Sequence, residues 1–383
     1  MSHKVSSCEV IVVGGGVIGA ACARAAALRG LQVALCEPGP ERAAASPASA
    51  GMLAAQIEPA DDAMRGLGVR GRDLYETLAP ALRETTGLDI GFWRAGIASV
   101  AFDDGTANRL RDAVAQQRQA GLRCDWLEAE DVLERFPGAA PDTRGALFAP
   151  EDGAVDPATL TRALHADGRR LGVKLLPERV VRIVTAEKQA RVTGVALENR
   201  TVTAEHVVIA AGAWSPGIGG LPRPLPVEPV RGQMAAAPWP SGTPPAILYF
   251  DHGYVLARGG EALMGSTMEH AGFDGRITDA GIAQIVDGAT RLLPALATAR
   301  PTRTWAGLRP VTPDGRPIIG ADPETRGLWF ATGHGRNGIL LAALTGEIIA
   351  DLLAKGATDV EIAALTMARF QPSAISDQQA ADG

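Results

Sequence analysis

Gly14, Gly16 and Gly19 fall in the spacing Gly-x-Gly-x-x-Gly, and an acidic residue, Glu37, follows 21 positions after Gly16. That combination is suited to holding a dinucleotide. The first glycine permits a tight turn, the second lets backbone N–H groups approach a pyrophosphate at the positive end of a helix, and the third lets helix pack on strand. Glu37 would accept hydrogen bonds from ribose hydroxyls, and its charge disfavours the 2′-phosphate of NADP. The motif alone does not separate NAD from FAD, and a glycine turn that only packs helix on sheet is the plain structural alternative. Metal chemistry has no comparable signal. The cysteines Cys8, Cys22, Cys36 and Cys124 form no Cys-x-x-Cys pair, so neither a zinc site nor a disulfide framework is expected.

The elements needed to position these residues can be read around them. Residues 9–13 are a short β-branched run, 17–29 a helix of small residues, and 31–36 a second apolar strand, which together make a βαβ unit with a buried parallel sheet. A helical stretch is expected at Asp61–Thr86, a strand over 93–104 and an exposed helix over 106–120. Strand, hairpin and strand follow over 171–215, the last ending at Ala211-Gly212. The proline-rich stretch 223–304 reads mostly as strand with one helix at 279–293. A strand at 328–331 then leads into a long apolar helix from about Gly338 to Leu353. Two further segments, 206–215 and 329–353, thus end strands in glycine turns, where backbone could approach a second, distant part of an elongated cofactor.

Composition limits the function classes. With 37 Lys+Arg against 43 Asp+Glu the formal charge is −6, which argues against nucleic acid as the main partner. Apolar residues make up 46% of the 383, enough for a substantial core, and the length points to two or three domains. The apolar N-terminal stretch is interrupted by Arg24, Arg29 and a triple glycine, and no uninterrupted run of the roughly 18 apolar residues a membrane helix needs is apparent. The chain therefore reads as cytoplasmic and unanchored, with a polar, mobile tail at 371–383.

Seven segments carry a resemblance: VVGGGVIGAACA (12–23), SAGMLAAQIEP (49–59), VVIAAGAWS (207–215), DHGYVLAR (251–258), MGSTME (264–269), TWAGLRPVTPDGRPIIG (304–320) and GHGRNGILLAALTGEIIADLL (333–353). By these the chain, over nearly all of residues 8–354, resembles the glycine oxidase and D-amino-acid oxidase family of flavoproteins, the glycine oxidases of thiamine biosynthesis above all. The resemblance implies an α/β fold, with a Rossmann-like FAD-binding domain of glutathione-reductase type and a second α+β substrate domain on a mostly antiparallel sheet. The FAD domain would be discontinuous (1–92, 151–223 and 305–370), with 93–150 and 224–304 forming the substrate domain.

Matched segment to segment, FAD would contact Gly14, Gly16, Val17, Ile18, Gly19, Glu37, Ser49, Gly51, Met52, Val180, Ala211, Gly212 and Trp214, with Val181 as the alternative register for Val180. Gly335, Arg336, Asn337, Gly338 and Ile339 would lie beside the isoalloxazine, where a helix start stabilises the anion of the reduced flavin. Relatives that hold FAD covalently use a cysteine in the region of about 310–320; this chain has none there, so non-covalent FAD is expected. On the substrate side Arg309 matches the carboxylate-binding arginine, a role its planar fork suits. Arg336 would assist it or support the flavin. Tyr254 matches the substrate-side tyrosine, with Tyr249 as its alternate. His252 lies near the site or is structural, and Met268 lines the pocket or belongs to the core.

The implied reaction is oxidative deamination of glycine or another small amino acid or secondary amine, such as sarcosine or a D-amino acid. Hydride leaves Cα for flavin N5, the imine hydrolyses to a 2-oxo acid and ammonia, and oxygen reoxidises the flavin to give hydrogen peroxide. A D-amino-acid dehydrogenase passing electrons to a quinone is the rival within the class. An NAD-dependent dehydrogenase and a non-catalytic flavin-binding protein are the rivals outside it. Relatives of this pattern are often tetramers, so a homo-oligomer is possible on the resemblance alone.

Overall fold

The computed structural model describes residues 6–39, 43–58, 61–186, 190–251 and 253–370; His252 and the 371–383 tail lie outside these. The chain begins with β1 (Ser7–Val13), α1 (Val17–Leu28), β2 (Val33–Cys36), α2 (Ala45–Ala48), β3 (Met52–Leu53), α3 (Asp62–Asp73) and α4 (Tyr75–Thr86). Next come β4 (Ile97–Ala101), α5 (Asp104–Gln119), β5 (Asp125–Leu127), α6 (Ala129–Arg135), β6 (Gly145–Ala149), β7 (Gly153–Ala154) and α7 (Pro157–Arg170). The strands β8 (Lys174–Leu176), β9 (Val180–Ala186), β10 (Arg191–Leu197), β11 (Thr201–Ile209) and β12 (Glu228–Pro238) follow. The rest is β13 (Ile247–Phe250), β14 (Gly253–Arg258), β15 (Glu261–Gly265), α8 (Asp279–Leu292), β16 (Arg303–Val311), β17 (Ile318–Ala321), β18 (Leu328–Thr332) and α9 (Gly338–Lys355).

The first sheet has β18, β11, β1, β2 and β8 side by side and parallel, with β17 antiparallel at one edge and the β9–β10 hairpin turning antiparallel onto β11. Its strands are covered on both faces, which explains their continuous β-branched runs. Helices α1 and α9 fill one face, and their close approach needs the small residues there: a Cβ at Gly346 would sit 2.8 Å from the Ala21 carbonyl oxygen. By length and composition α9 could cross a membrane, yet here it is packed in the core beside α1 and α3.

The second sheet runs β16-β12-β15-β14-β13-β4-β6-β5 and is antiparallel except for β13 against β4. Val255, Met264 and Ala235 pack one face onto α8, while Met234, Tyr249, Tyr254 and Leu256 point from the other toward the segment 50–57. Strand β16, read from sequence as lying beyond the substrate segments, pairs along its whole length with β12 in this sheet. Two other expectations change in detail. The helical stretch at 61–86 is two helices separated at Leu74, and the strand expected over 93–104 is confined to Ile97–Ala101, with Trp93 making only an isolated bridge to Ala154.

Candidate functional site

Residue pairs in the first sheet decide where the glycine turns fall. Val13 lies opposite Cys36 on one side and Ile209 on the other, and Ile209 lies opposite Phe330. Gly14, Glu37, Ala211 and Gly333 therefore all leave the sheet at one carboxyl edge, where ligands of open parallel sheets bind. Gly14 has φ +101°, and a Cβ on it would lie 2.5 Å from the Ala210 carbonyl oxygen. Gly19 is tighter still, with a Cβ falling onto the Gly14 carbonyl. The turn N–H of Gly15 donates to Glu37 Oε2 at 2.6 Å, so the acid lies against the glycine loop. Val17 and Ile18 open α1, whose first residue, Val17, donates its N–H to Ser46 Oγ at 3.0 Å.

The stretch 43–58 lies between the layers. Leu308 N donates to the Ala43 carbonyl, Trp305 Nε1 donates to the Ala48 carbonyl at 2.9 Å, and Met52 and Leu53 pair with Ala154 and Gly153. Ser49 Oγ is buried with no hydrogen-bond partner, an orphan polar atom in the segment expected to face FAD. Gly51, at φ +80°, admits no side chain because a Cβ would meet the Val155 carbonyl oxygen. Val180 is buried at the start of β9 and Val181 is 48% exposed. Ala211 precedes the 3₁₀ turn Gly212–Gly217, in which the Trp214 ring lies 5.8 Å from Phe273. Gly335, Arg336 and Asn337 form another 3₁₀ turn, and α9 starts at Gly338 with no side-chain cap. The Ile339 carbonyl accepts from the Tyr75 hydroxyl. A glycine cradle, an uncapped helix start, an acid against the glycine turn and an orphan hydroxyl together fit an FAD molecule.

On the second sheet one cross-strand row builds the other wall: Trp305 opposite Met234, Met234 opposite Gly265, Gly265 opposite Tyr254, and Tyr254 opposite Tyr249. Opposed residues share a face, so both tyrosines and Met234 stand together. Tyr254 donates to Met234 Sδ at 3.1 Å, and Gly265 leaves room for both, since a Cβ there would lie 2.4 Å from that sulfur. Arg309, four residues on from Trp305, lies on the same face. Its guanidinium passes over Gly232, where a Cβ would fall 1.9 Å from Nη1, and donates to the Thr267 carbonyl at 3.1 Å and Ser266 Oγ at 2.7 Å. Among the described residues no carboxylate pairs with Arg309. Burial and the neighbouring Arg336 charge lower its pKa, so the site disfavours this cation until an anion arrives.

Arg336 is different. It donates to Glu58 Oε1 at 2.5 Å and to the Tyr249 hydroxyl at 3.3 Å. Burial works against its charge, but Glu58 overrides this and its pKa is raised. Burial pushes the Tyr254 hydroxyl up to about 12, and burial with the Glu58 charge raises Tyr249 as well. Both remain protonated donors near neutral pH and neither is a base. Met268 is 45% exposed beyond Thr267, so the core alternative for it fails. Sequence reasoning missed Ser46, Glu58, Ser266 and Thr267. It also missed His165, whose Nε2 lies 2.7 Å from the Gly15 carbonyl oxygen. Glu58 lay within a matched segment, but nothing in its spacing marked it as an ion-pair partner.

Residues 9–352 match the family model "DAO: FAD dependent oxidoreductase". The chain is 36% identical over 373 residues to the bifunctional protein ThiO/ThiG of Trichormus variabilis, covering 96% of this chain but 56% of that one, so it spans about half the length of that relative. The crystal structure of glycine oxidase from Geobacillus kaustophilus is similar at a TM-score of 0.88 and 34% identity, covering 96% of this chain and 100% of that one. That of iminodiacetate oxidase from Chelativorans sp. BNC1 is similar at a TM-score of 0.86 and 25% identity, covering 94% and 98%.

Proposed function

The chain belongs to the DAO family of FAD-dependent oxidoreductases, and from that premise we propose that it oxidises glycine or another small amino acid or secondary amine, sarcosine and D-amino acids included. The observation that carries this reading is Arg309: a partly buried guanidinium with no carboxylate partner among the described residues, held by Thr267 and Ser266 on the same face as two protonated tyrosines. Such an arrangement is costly in a folded protein and is offset when a substrate carboxylate completes it. The names of the similar glycine oxidases support the substrate class.

In this reading Arg309 grips the carboxylate with both arms of its fork, and Tyr254 and Tyr249 donate hydrogen bonds toward the bound amino acid. Arg336, anchored by Glu58, supports the far side, and Met268 lines the mouth. FAD, when bound, would supply the acceptor for the hydride leaving Cα, with oxygen as the final electron acceptor and hydrogen peroxide as the product. Gly14, Gly16, Gly19, Val17 and Ile18 would hold the pyrophosphate, Glu37 the ribose, and Val180 the adenine. Ser49, Gly51, Met52, Ala211, Gly212, Trp214 and the turn 335–339 would hold the remainder. The protein's task is to fix Cα in position, since neither tyrosine can act as a base. Water then converts the released imine to a 2-oxo acid and ammonia, or to a 2-oxo acid and the corresponding primary amine where the substrate is a secondary amine. We carry forward the two-domain division, placing β16 with the substrate sheet that it pairs with. We also propose a cytoplasmic location, with Cys22, Cys36 and Cys124 as buried free thiols.

The test is an anaerobic absorption spectrum of the purified holoprotein before and after glycine, sarcosine and a series of D-amino acids. Bleaching of the flavin band by one of them, followed by stoichiometric peroxide on admitting air, is expected. Bleaching without peroxide would indicate a dehydrogenase instead, and a flavin that no amine bleaches would overturn the substrate reading.

A further inference from the structure

The two guanidiniums of the site are held in unlike ways. Among the described residues Arg309 has only neutral acceptors, the Thr267 carbonyl and the Ser266 hydroxyl. Arg336 is held by the Glu58 carboxylate, whose side chain is 8% exposed. The two are joined along the sheet: Ser266 accepts from Arg309, its neighbour Gly265 lies across from Tyr254, Tyr254 lies directly across from Tyr249, and Tyr249 accepts from Arg336. The three side chains Arg309, Arg336 and Glu58 by themselves sum to a single positive charge. We propose that Glu58 sets the charge selectivity of this site, neutralising Arg336 so that the cavity takes amines carrying one carboxylate and rejects those carrying two.

The physical basis is the asymmetry of buried charge. One ligand carboxylate on Arg309 completes the set. A second would meet Arg336 already engaged and Glu58 beside it, and like charges placed together in a desolvated site oppose binding strongly. Glu58 directly follows Gln56 and Ile57, and the Gln56 backbone N–H donates to buried Asp152 at 2.9 Å, which pins the segment that carries it. Glu58 need not touch the reacting atoms to do this. It is a selectivity residue acting through Arg336, and the inference rests on the amino acid oxidase reading above.

The experiment uses holoenzyme and two anions differing in charge count, acetate and malonate, as competitive inhibitors of the best amine found in the anaerobic spectra. Four proteins are compared: wild type, Glu58→Asp, Glu58→Gln, and Glu58→Gln with Arg336→Met, which restores the single net charge. Acetate should inhibit the wild type more tightly than malonate. Glu58→Gln should shift the ratio of inhibition constants toward malonate by about 10- to 100-fold. Glu58→Asp and the double replacement should return it toward the wild-type value. A shift of under threefold in Glu58→Gln at normal flavin content, or no inhibition by either anion in any form, would overturn the proposal. If Glu58→Gln loses its flavin, the double replacement must regain it, and one that stays empty also refutes the charge account. A wild type that oxidises no amine sinks the functional reading itself, whereas an active wild type with an unmoved ratio sinks only the role of Glu58.

Discussion

Replacing Arg309 by methionine separates a substrate-binding role from a structural one. The guanidinium donates to the Thr267 carbonyl at 3.1 Å and Ser266 Oγ at 2.7 Å. Losing both bonds costs about 1–3 kcal/mol. Against that, the fold no longer has to desolvate a cation without a counter-ion, a penalty of several kcal/mol, nor hold it near Arg336. The two effects roughly cancel, so the melting temperature of Arg309→Met should lie no more than a few degrees below wild type, at about 2–4 °C per kcal/mol. Catalysis behaves oppositely. Removing one partner of a buried charge pair costs about 2–5 kcal/mol, or roughly 30- to 4,000-fold in kcat/KM, carried mostly by KM. Steady-state peroxide production across a glycine or sarcosine series, alongside melting curves and flavin content, reads both. A melting point lowered by more than about 10 °C with KM unchanged would show that Arg309 is a strut, and the reasoning would fail.

Gly232→Ala should reproduce much of that effect without touching the arginine, because a Cβ falls 1.9 Å from Arg309 Nη1 and displaces the fork; KM should rise at least about tenfold at full flavin content, measured by peroxide assay and absorbance. Gly14→Ala should yield colourless protein, since the added Cβ lies 2.5 Å from the Ala210 carbonyl oxygen at φ +101°; flavin retained after gel filtration would contradict this. Heat or acid precipitation should release all the flavin into the supernatant, and yellow colour left on the pellet would contradict non-covalent binding. Burial pushes Asp152 up to about 7 in spite of Arg72. Its folded pKa thus exceeds the unfolded value, so the stability it contributes is full below about pH 4 and lost as pH rises toward 7, by on the order of 1–4 kcal/mol. The melting point of Asp152→Asn relative to wild type should accordingly improve across that window.

The first βαβ unit was legible because its signals are local. An apolar run, glycines at fixed offsets and Glu37 together specify strand, turn, helix and an acid after the second strand; strand, turn and helix stand where they were expected, and Glu37 lies against the glycine turn. The long helix after Gly338 was equally plain, although it runs two residues further than its apolar face suggested, to Lys355 before the left-handed Gly356. Elements whose periodicity mixes with turn residues were harder. The single helical reading of 61–86 could not foresee the interruption at Leu74. Nor did any local signal tell that Arg303–Val311 would close the second sheet against β12, because such pairing is a long-range choice.

Within the candidate site, single-residue matches named Arg309, Tyr254, Tyr249 and Arg336; cross-strand register explains why the tyrosines and Arg309 share a face, while Arg336 reaches Tyr249 from the turn before α9. What sequence could not convey is their electrostatic state. Whether an arginine is free or paired depends on which acid a distant loop delivers, and Glu58 reaches Arg336 across 278 positions of chain. The same holds for Ser266 and Thr267, ordinary hydroxyl residues until β15 ends beside β12 and brings them under the Arg309 fork. Gly232 completes the reasoning. Read alone it is one glycine among 45, yet its missing side chain is the space through which Arg309 reaches its acceptors. The chemistry here depends less on which charged residues are present than on which of them the fold leaves without a partner.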